Sequence, residues 1–156
     1  MATKESTDWF SLAIREHGYL QAAIDKFDHQ SFQIRNWSIT LAGVLFTVSL
    51  SAKIASIALA SIIAVLFFAF LEIVNIDMTQ CAIKRSNYLE DLVNDYRKSG
   101  QEPPGYNFGV GQAFKGAFEF KQIPSLVFVR RRLHVTAFYI GLLIVNICGA
   151  IVVAVR

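Results

Sequence analysis

The chain has 156 residues, 54% hydrophobic and 17% charged, with a net charge of +3, which fits one membrane domain rather than a soluble domain carrying a tail. Its two cysteines, Cys81 and Cys148, lie on opposite sides of long segments without metal-ligand spacing, so neither a disulfide framework nor a zinc site is indicated. The sequence carries no Gly-x-Ser-x-Gly, no plausible Ser, His and Asp constellation and no His-rich ligand set; no enzyme, cofactor or metal is expected.

Residues 6–35 read as a cytoplasmic helix, with Ser6, Thr7 and Asp8 as N-cap candidates. Phe10, Ile14, His17, Leu20, Ile24, Phe27, Ser31 and Ile34 recur every three or four residues, a stripe that asks for a partner helix. The alternative is that this face lies flat on a membrane; Glu16, Asp25 and Asp28, assigned to the other faces, argue against it. His17 and His29 form no ligand pair and read as packing or solvent residues.

Between residues 36 and 75 only Lys53 and Glu72 are charged, and Lys53 stands where a turn belongs. A bilayer core about 30 Å thick needs roughly 20 apolar residues at 1.5 Å rise. Residues 37–52 and 54–76 therefore read as a membrane hairpin with a turn around 49–53. The first run is short and starts in the interface with Trp37 as its anchor. It begins too far into the chain, and is too long, for the apolar core of a signal peptide, so the hairpin is expected to stay. A surface helix of a soluble protein would carry a polar stripe that these runs lack.

Within the first run, Asn36, Thr40, Gly43, Thr47 and Ser51 share one helical face. Such a face either lines water or lets helices approach closely. The second run has Ser56, Ala60 and Ala64 four apart and then Phe67, Phe68 and Phe70. Glu72, about a turn from its end, either pairs with Arg35 or repeats as a ring at a pore mouth in an oligomer.

No Pro or Gly interrupts residues 54–99, so the second span is expected to continue as one helix through 77–99, about 70 Å in all. Ile83, Leu89, Leu92, Val93 and Tyr96 give the emerging part an apolar face, and Ser99 with Gly100 ends it. Residues 100–133 read as a cytoplasmic loop and interfacial segment. Its start holds Pro103, Pro104 and several glycines without the spacing of a phosphate-binding or dinucleotide motif. Farther on, Phe108, Phe114, Phe118, Phe120 and Phe128 alternate with Lys115, Lys121 and Arg130, Arg131 and Arg132. Rings among bases suit single-stranded nucleic acid, and equally a headgroup layer of anionic lipid. Residues 135–155 form a third run, polar only at Thr136, Tyr139, Asn146 and Cys148.

Basic residues set the topology. Lys4, Arg15, Lys26 and Arg35 precede the first span, and Lys84, Arg85, Arg97, Lys98, Lys115, Lys121 and the Arg triplet lie between the second and third. Only Lys53 and Arg156 fall on the other side. The positive-inside rule then puts the N-terminus and the long middle segment in the cytoplasm and the C-terminus outside. The expected fold is an all-α membrane protein of three transmembrane helices with a cytoplasmic helical bundle, in one membrane domain.

The stretch from Leu20 to Leu41, through Gln21, Ile24, Ser31, Phe32, Ile34, Arg35, Trp37, Ile39 and Thr40, resembles a group of small bacterial three-span proteins with a basic residue and a Trp just before the first span. Ala137, Phe138 and Tyr139 are similar to the start of that group's last span. Members often carry an aspartate followed by aromatics after the second span, where this chain has Glu72 and then Asn75, Ile76 and Asp77. The resemblance implies a membrane effector of bacterial conflict systems, similar to the channel partner of a nucleotidyltransferase in Hailong-type antiphage defence, gated by an oligonucleotide that the transferase makes.

Two functions follow as expectations. One is a homo-oligomeric channel or membrane-disrupting effector of the bacterial inner membrane, gated by a cytoplasmic nucleotide, oligonucleotide or protein partner. The other is a nonconducting anchor that recruits a cytoplasmic partner. Pore-lining candidates are Asn36, Thr40, Gly43, Thr47, Ser51 and Glu72; ligand-binding candidates are Lys84, Arg85, Arg97, Lys98, Lys115, Lys121, Arg130, Arg131 and Arg132. The partners expected are further copies of the chain, a tetramer being one candidate state, together with membrane lipid, an oligonucleotide or nucleotide second messenger, and a cytoplasmic nucleotidyltransferase.

Overall fold

The computed structural model describes residues 6–101, 106–114 and 133–155, and the described residues are helical apart from short connections. Helix α1 spans Ser6–Ala52, α2 Ala55–Ser99, α3 Val110–Ala113 and α4 Leu133–Val155. The absence of Pro and Gly from Ile54 to Ser99 is what allows α2 to run for 45 residues. Two helices, α2 and α4, are long and apolar enough to cross a membrane. Only 22% of the most apolar stretch is buried within the chain in each. Leu59, Ile63, Leu66 and Phe67 of α2 and Ile140, Ile144, Val145 and Ile151 of α4 point outward, a surface suited to hydrocarbon rather than water. The stretch 37–52 lies at the end of α1 and is not among these two helices.

The α1–α2 turn is tighter than the five-residue turn expected from 49–53. Helix α1 holds through Ala52, and Lys53 alone takes a left-handed conformation, φ 54°. The Ile54 N–H then reaches back to the Ser49 carbonyl at 3.3 Å, closing the six-to-one bond that ends a helix at a left-handed residue. Gly100, φ 67°, ends α2 in the simpler way, donating its N–H to the Tyr96 carbonyl at 2.8 Å.

The chain divides into two compact units. The first comprises the described parts of Met1–His29 and Ile76–Phe118. Leu20, Ala82 and Leu89 form its buried core, with Ile24, Tyr106, Val110, Ala113 and Phe114 packed against them. The partner of the α1 stripe is thus the same chain's α2, together with the segment 106–114. The buried face of α1 is offset from the expected stripe: Ala13, Glu16 and Leu20 are buried, whereas Ile14 is 55% exposed. Glu16, expected on an outer face, is wholly buried. The segment 100–133, expected to be loop and interfacial, contains the single turn α3.

The second unit comprises Gln30–Asn75 and the described part of Glu119–Arg156. Helices α1 and α2 pack there through small residues. Ser31, Ser38, Ala42 and Ser49 of α1 and Ala58, Ser61 and Val65 of α2 are buried, and Ser61 Oγ donates to the Ala42 carbonyl at 3.3 Å, a close approach of the two helices. Asn75 Nδ2 donates to Ser31 Oγ at 2.8 Å. Helix α4 docks through Asn146, whose Oδ1 accepts from Ser61 at 2.5 Å, and through Gly149, where a Cβ would collide with the Phe46 ring.

Candidate functional site

The helical repeat puts Asn36, Thr40, Gly43, Thr47 and Ser51 on one side of α1, and in the structure all five are exposed. Close packing inside the chain therefore belongs to the other face, Ser31 to Ser49, and not to this one. Thr40 donates to the Asn36 carbonyl at 2.8 Å, Thr47 to Gly43 at 2.8 Å and Ser51 to Thr47 at 2.9 Å. With their protons returned to the helix, the three hydroxyls present oxygen lone pairs outward. Nothing lies within 4 Å of a Cβ built on Gly43, so the strip is open along its middle.

Glu72 lies elsewhere. Its side chain is completely buried, and its Oε1 accepts from Arg35 Nε at 2.6 Å while Arg35 Nη2 closes on the same oxygen. Within one chain the carboxylate belongs to this ion pair rather than to the exposed hydroxyl face. A buried carboxylate requires such a partner, because an isolated charge in an apolar interior is prohibitively costly.

The basic candidates separate in the same way. Lys84, Arg97 and Lys98 are exposed, the last two in the final turn of α2, where cations also suit the negative end of the helix dipole. Arg85 is committed instead: Nε and Nη2 hold Glu16 at 2.8 and 3.3 Å, and Nη2 also donates to the Asn107 carbonyl at 2.9 Å. Lys115, Lys121, Arg130, Arg131 and Arg132 lie outside the described residues. Of the Phe series, Phe108 is 43% exposed. Phe114 packs on the core and stands edge-on to Phe27 at 6.1 Å, a place that removes it from base stacking.

Glu16 is the charged residue that sequence reasoning misplaced. Its Oε2 also accepts the Tyr106 hydroxyl at 2.7 Å, so one carboxylate ties α1, α2 and the segment after α2 together. Burial pushes the Glu16 carboxyl up; hydrogen bonds from Arg85 and Tyr106, the Arg85 charge and the Gly109 backbone outweigh it and hold the group below its ordinary value. The Tyr106 phenol is pushed well up, by burial first and then by the bond to Glu16 and its charge. The signal available in the sequence was spacing: Glu16 stands three residues after Ala13 and four before Leu20, on the face that is buried. Trp9 stacks edge-on to Tyr96 at 5.0 Å and lies 6.1 Å from Tyr106 in the same unit.

Among the described residues no group of three or more His, Cys, Asp or Glu side chains could hold a metal ion. No protein-family model matches this chain, and no curated protein or solved structure is significantly similar to it.

Proposed function

We propose that the protein is a homo-oligomeric membrane channel or membrane-disrupting effector of the bacterial inner membrane, acting in antiphage defence and opened from the cytoplasmic side by a nucleotide, an oligonucleotide or a partner protein. Residues 37–52 of α1 serve as a short first span beside α2 and α4, with the N-terminus inside. The observation that carries this is the exposed row Asn36, Thr40, Gly43, Thr47 and Ser51 on a unit whose outward surface is otherwise largely apolar. The hydroxyl protons are already bonded to helix carbonyls, but facing lipid the hydroxyl lone pairs and the Asn36 amide would find no water; further copies of the chain around a water path supply it. Of the basic ligand candidates, Lys84, Arg97 and Lys98 are described and exposed, open to a polyanion. The antiphage assignment rests on the resemblance at residues 20–41 and 137–139.

A groove of about 330 Å³ in the first unit supports the second reading, a nonconducting anchor. Ala13, Ile14, His17, Leu89, Glu90, Val93 and Asn94 line it, and the apolar Ile14 is open to a partner. Planar-bilayer recording separates the two. Stepwise current is expected from the purified protein, with thiol reagents blocking Thr40→Cys and Thr47→Cys but not the outward-facing Ile144→Cys. A protein that never conducts, with or without an added nucleotide fraction, leaves the anchor reading.

A further inference from the structure

In the first unit, helix α1 carries unlike patches on its two flanks. One flank borders the groove of about 330 Å³ between α1 and α2, lined by Ala13, Leu89 and Val93 with the exposed Glu90 and Asn94 beside them. The Glu90 side chain is 57% exposed, and the His17 Nε2 at 3.1 Å engages only one of its two carboxylate oxygens. The helix turns roughly 100° per residue, so Arg15 and Tyr19, two residues before and two after His17, share the flank that faces away from the groove. Tyr19 is 60% exposed. Arg15 is exposed too and has no acidic partner among the described residues.

We propose that a second copy of the chain fills this groove: Tyr19 of one copy enters the groove of the next, and Arg15 meets Glu90 at its edge. The inference rests on the homo-oligomer proposed above and names a contact that builds it. Charge complementarity selects the occupant, because a groove with a carboxylate beside an apolar lining accepts an aromatic side chain with a guanidinium one turn away. Height agrees. Copies inserted the same way round in one bilayer are related by rotation about its normal, so each residue meets its neighbours at its own level. Arg15 and Tyr19 lie about 3 Å along α1 from His17 at 1.5 Å per residue, and His17 touches Glu90; the two patches therefore stand level. Unlike patches on opposite flanks make a head-to-tail contact, the kind that closes into a ring of copies.

Disulfide trapping in native membranes tests this, using full-length chains that carry Cys81→Ser and Cys148→Ser. Two differently tagged chains are co-expressed, one with Tyr19→Cys and the other with Asn94→Cys, and oxidised mildly. A covalent dimer of the two is expected, and none when either variant is expressed alone. A dimer of either variant with itself reports a contact between like patches and overturns the proposal. If no dimer forms while native mass spectrometry still gives an oligomer, this contact falls, the groove is left to a partner protein and the homo-oligomer stands; a strictly monomeric chain removes both. Exchanging the charges is the second arm, read by native mass spectrometry at low salt. Arg15→Glu and Glu90→Arg should each lower the oligomer fraction, since like charges then face each other at every contact, and the double variant should restore it. No loss in the single variants, or no recovery in the double, overturns the pairing of Arg15 with Glu90.

Discussion

Glu16 shows how much one side chain can organise. Its carboxylate is buried and accepts from Arg85 and Tyr106, so Glu16→Ala leaves a guanidinium and a phenol without their partner. A loss of about 3 kcal/mol or more is expected in denaturant unfolding, as when one member of a buried ion pair is removed. The exposed neighbour Asp25→Ala should stay within about 0.5 kcal/mol. Acid sensitivity follows in sign. The folded-state carboxyl is lowered, so its contribution is complete above the ordinary carboxyl value and is lost as pH falls through the folded-state value. Unfolding followed from neutral to acid pH should show that decline in the wild type and a flatter curve in Glu16→Gln. A buried carboxylate was not legible from residue type, because Glu16 reads as solvent-facing until its partners, 69 and 90 residues away, are known.

At the scale of elements, the helix ends follow local rules and the helix contacts follow shape. Lys53 occupies a left-handed position that glycine adopts freely, and Lys53→Gly is expected to raise stability by about 1 kcal/mol in thermal or denaturant unfolding. The docking of α4 depends on the missing side chain at Gly149, over which the Phe46 ring lies. Gly149→Ala should lower stability by about 1–3 kcal/mol, as overpacking does, and by much less when introduced into Phe46→Ala. That coupling, read from a double-mutant cycle, would vanish if α4 docked elsewhere. The turn at Lys53 and the stop at Gly100 were readable because a few residues of chain decide them.

For the whole molecule the question is what covers the hydroxyl face of α1. Native mass spectrometry after gentle extraction should give a defined homo-oligomer, and a strictly monomeric species would remove the channel. Nucleotide control is tested by titrating labelled oligonucleotides against the protein in neutral detergent. Saturable binding should weaken steeply with salt, as counterion release requires, and should weaken further in Arg97→Ala with Lys98→Ala while the oligomer persists. Arg85→Ala is a poor probe of the same question, since Arg85 is held by Glu16 and Asn107 and its loss would act through folding. For the same reason, a charge placed at Ile24 or Phe27 would disturb the chain's own first unit before it disturbed assembly.

The sequence by itself determined where the long helices run, where α1 turns into α2 and that α2 and α4 are long and apolar enough to cross a membrane, because helix propensity, turn chemistry and hydropathy act over a few residues to a few turns. It also offered Arg35 as a partner for Glu72, since a carboxylate and a guanidinium at matching depth on two antiparallel helices have few other choices. Tertiary structure decided the rest. A run with small polar residues on two faces does not say which face packs, so only the packed contacts reveal that Ser38, Ala42 and Ser49 face inward while Thr40, Thr47 and Ser51 face out. Likewise only the folded chain brings Tyr106 to Glu16 and Asn146 to Ser61, since each pair is far apart in sequence and joined by no local rule.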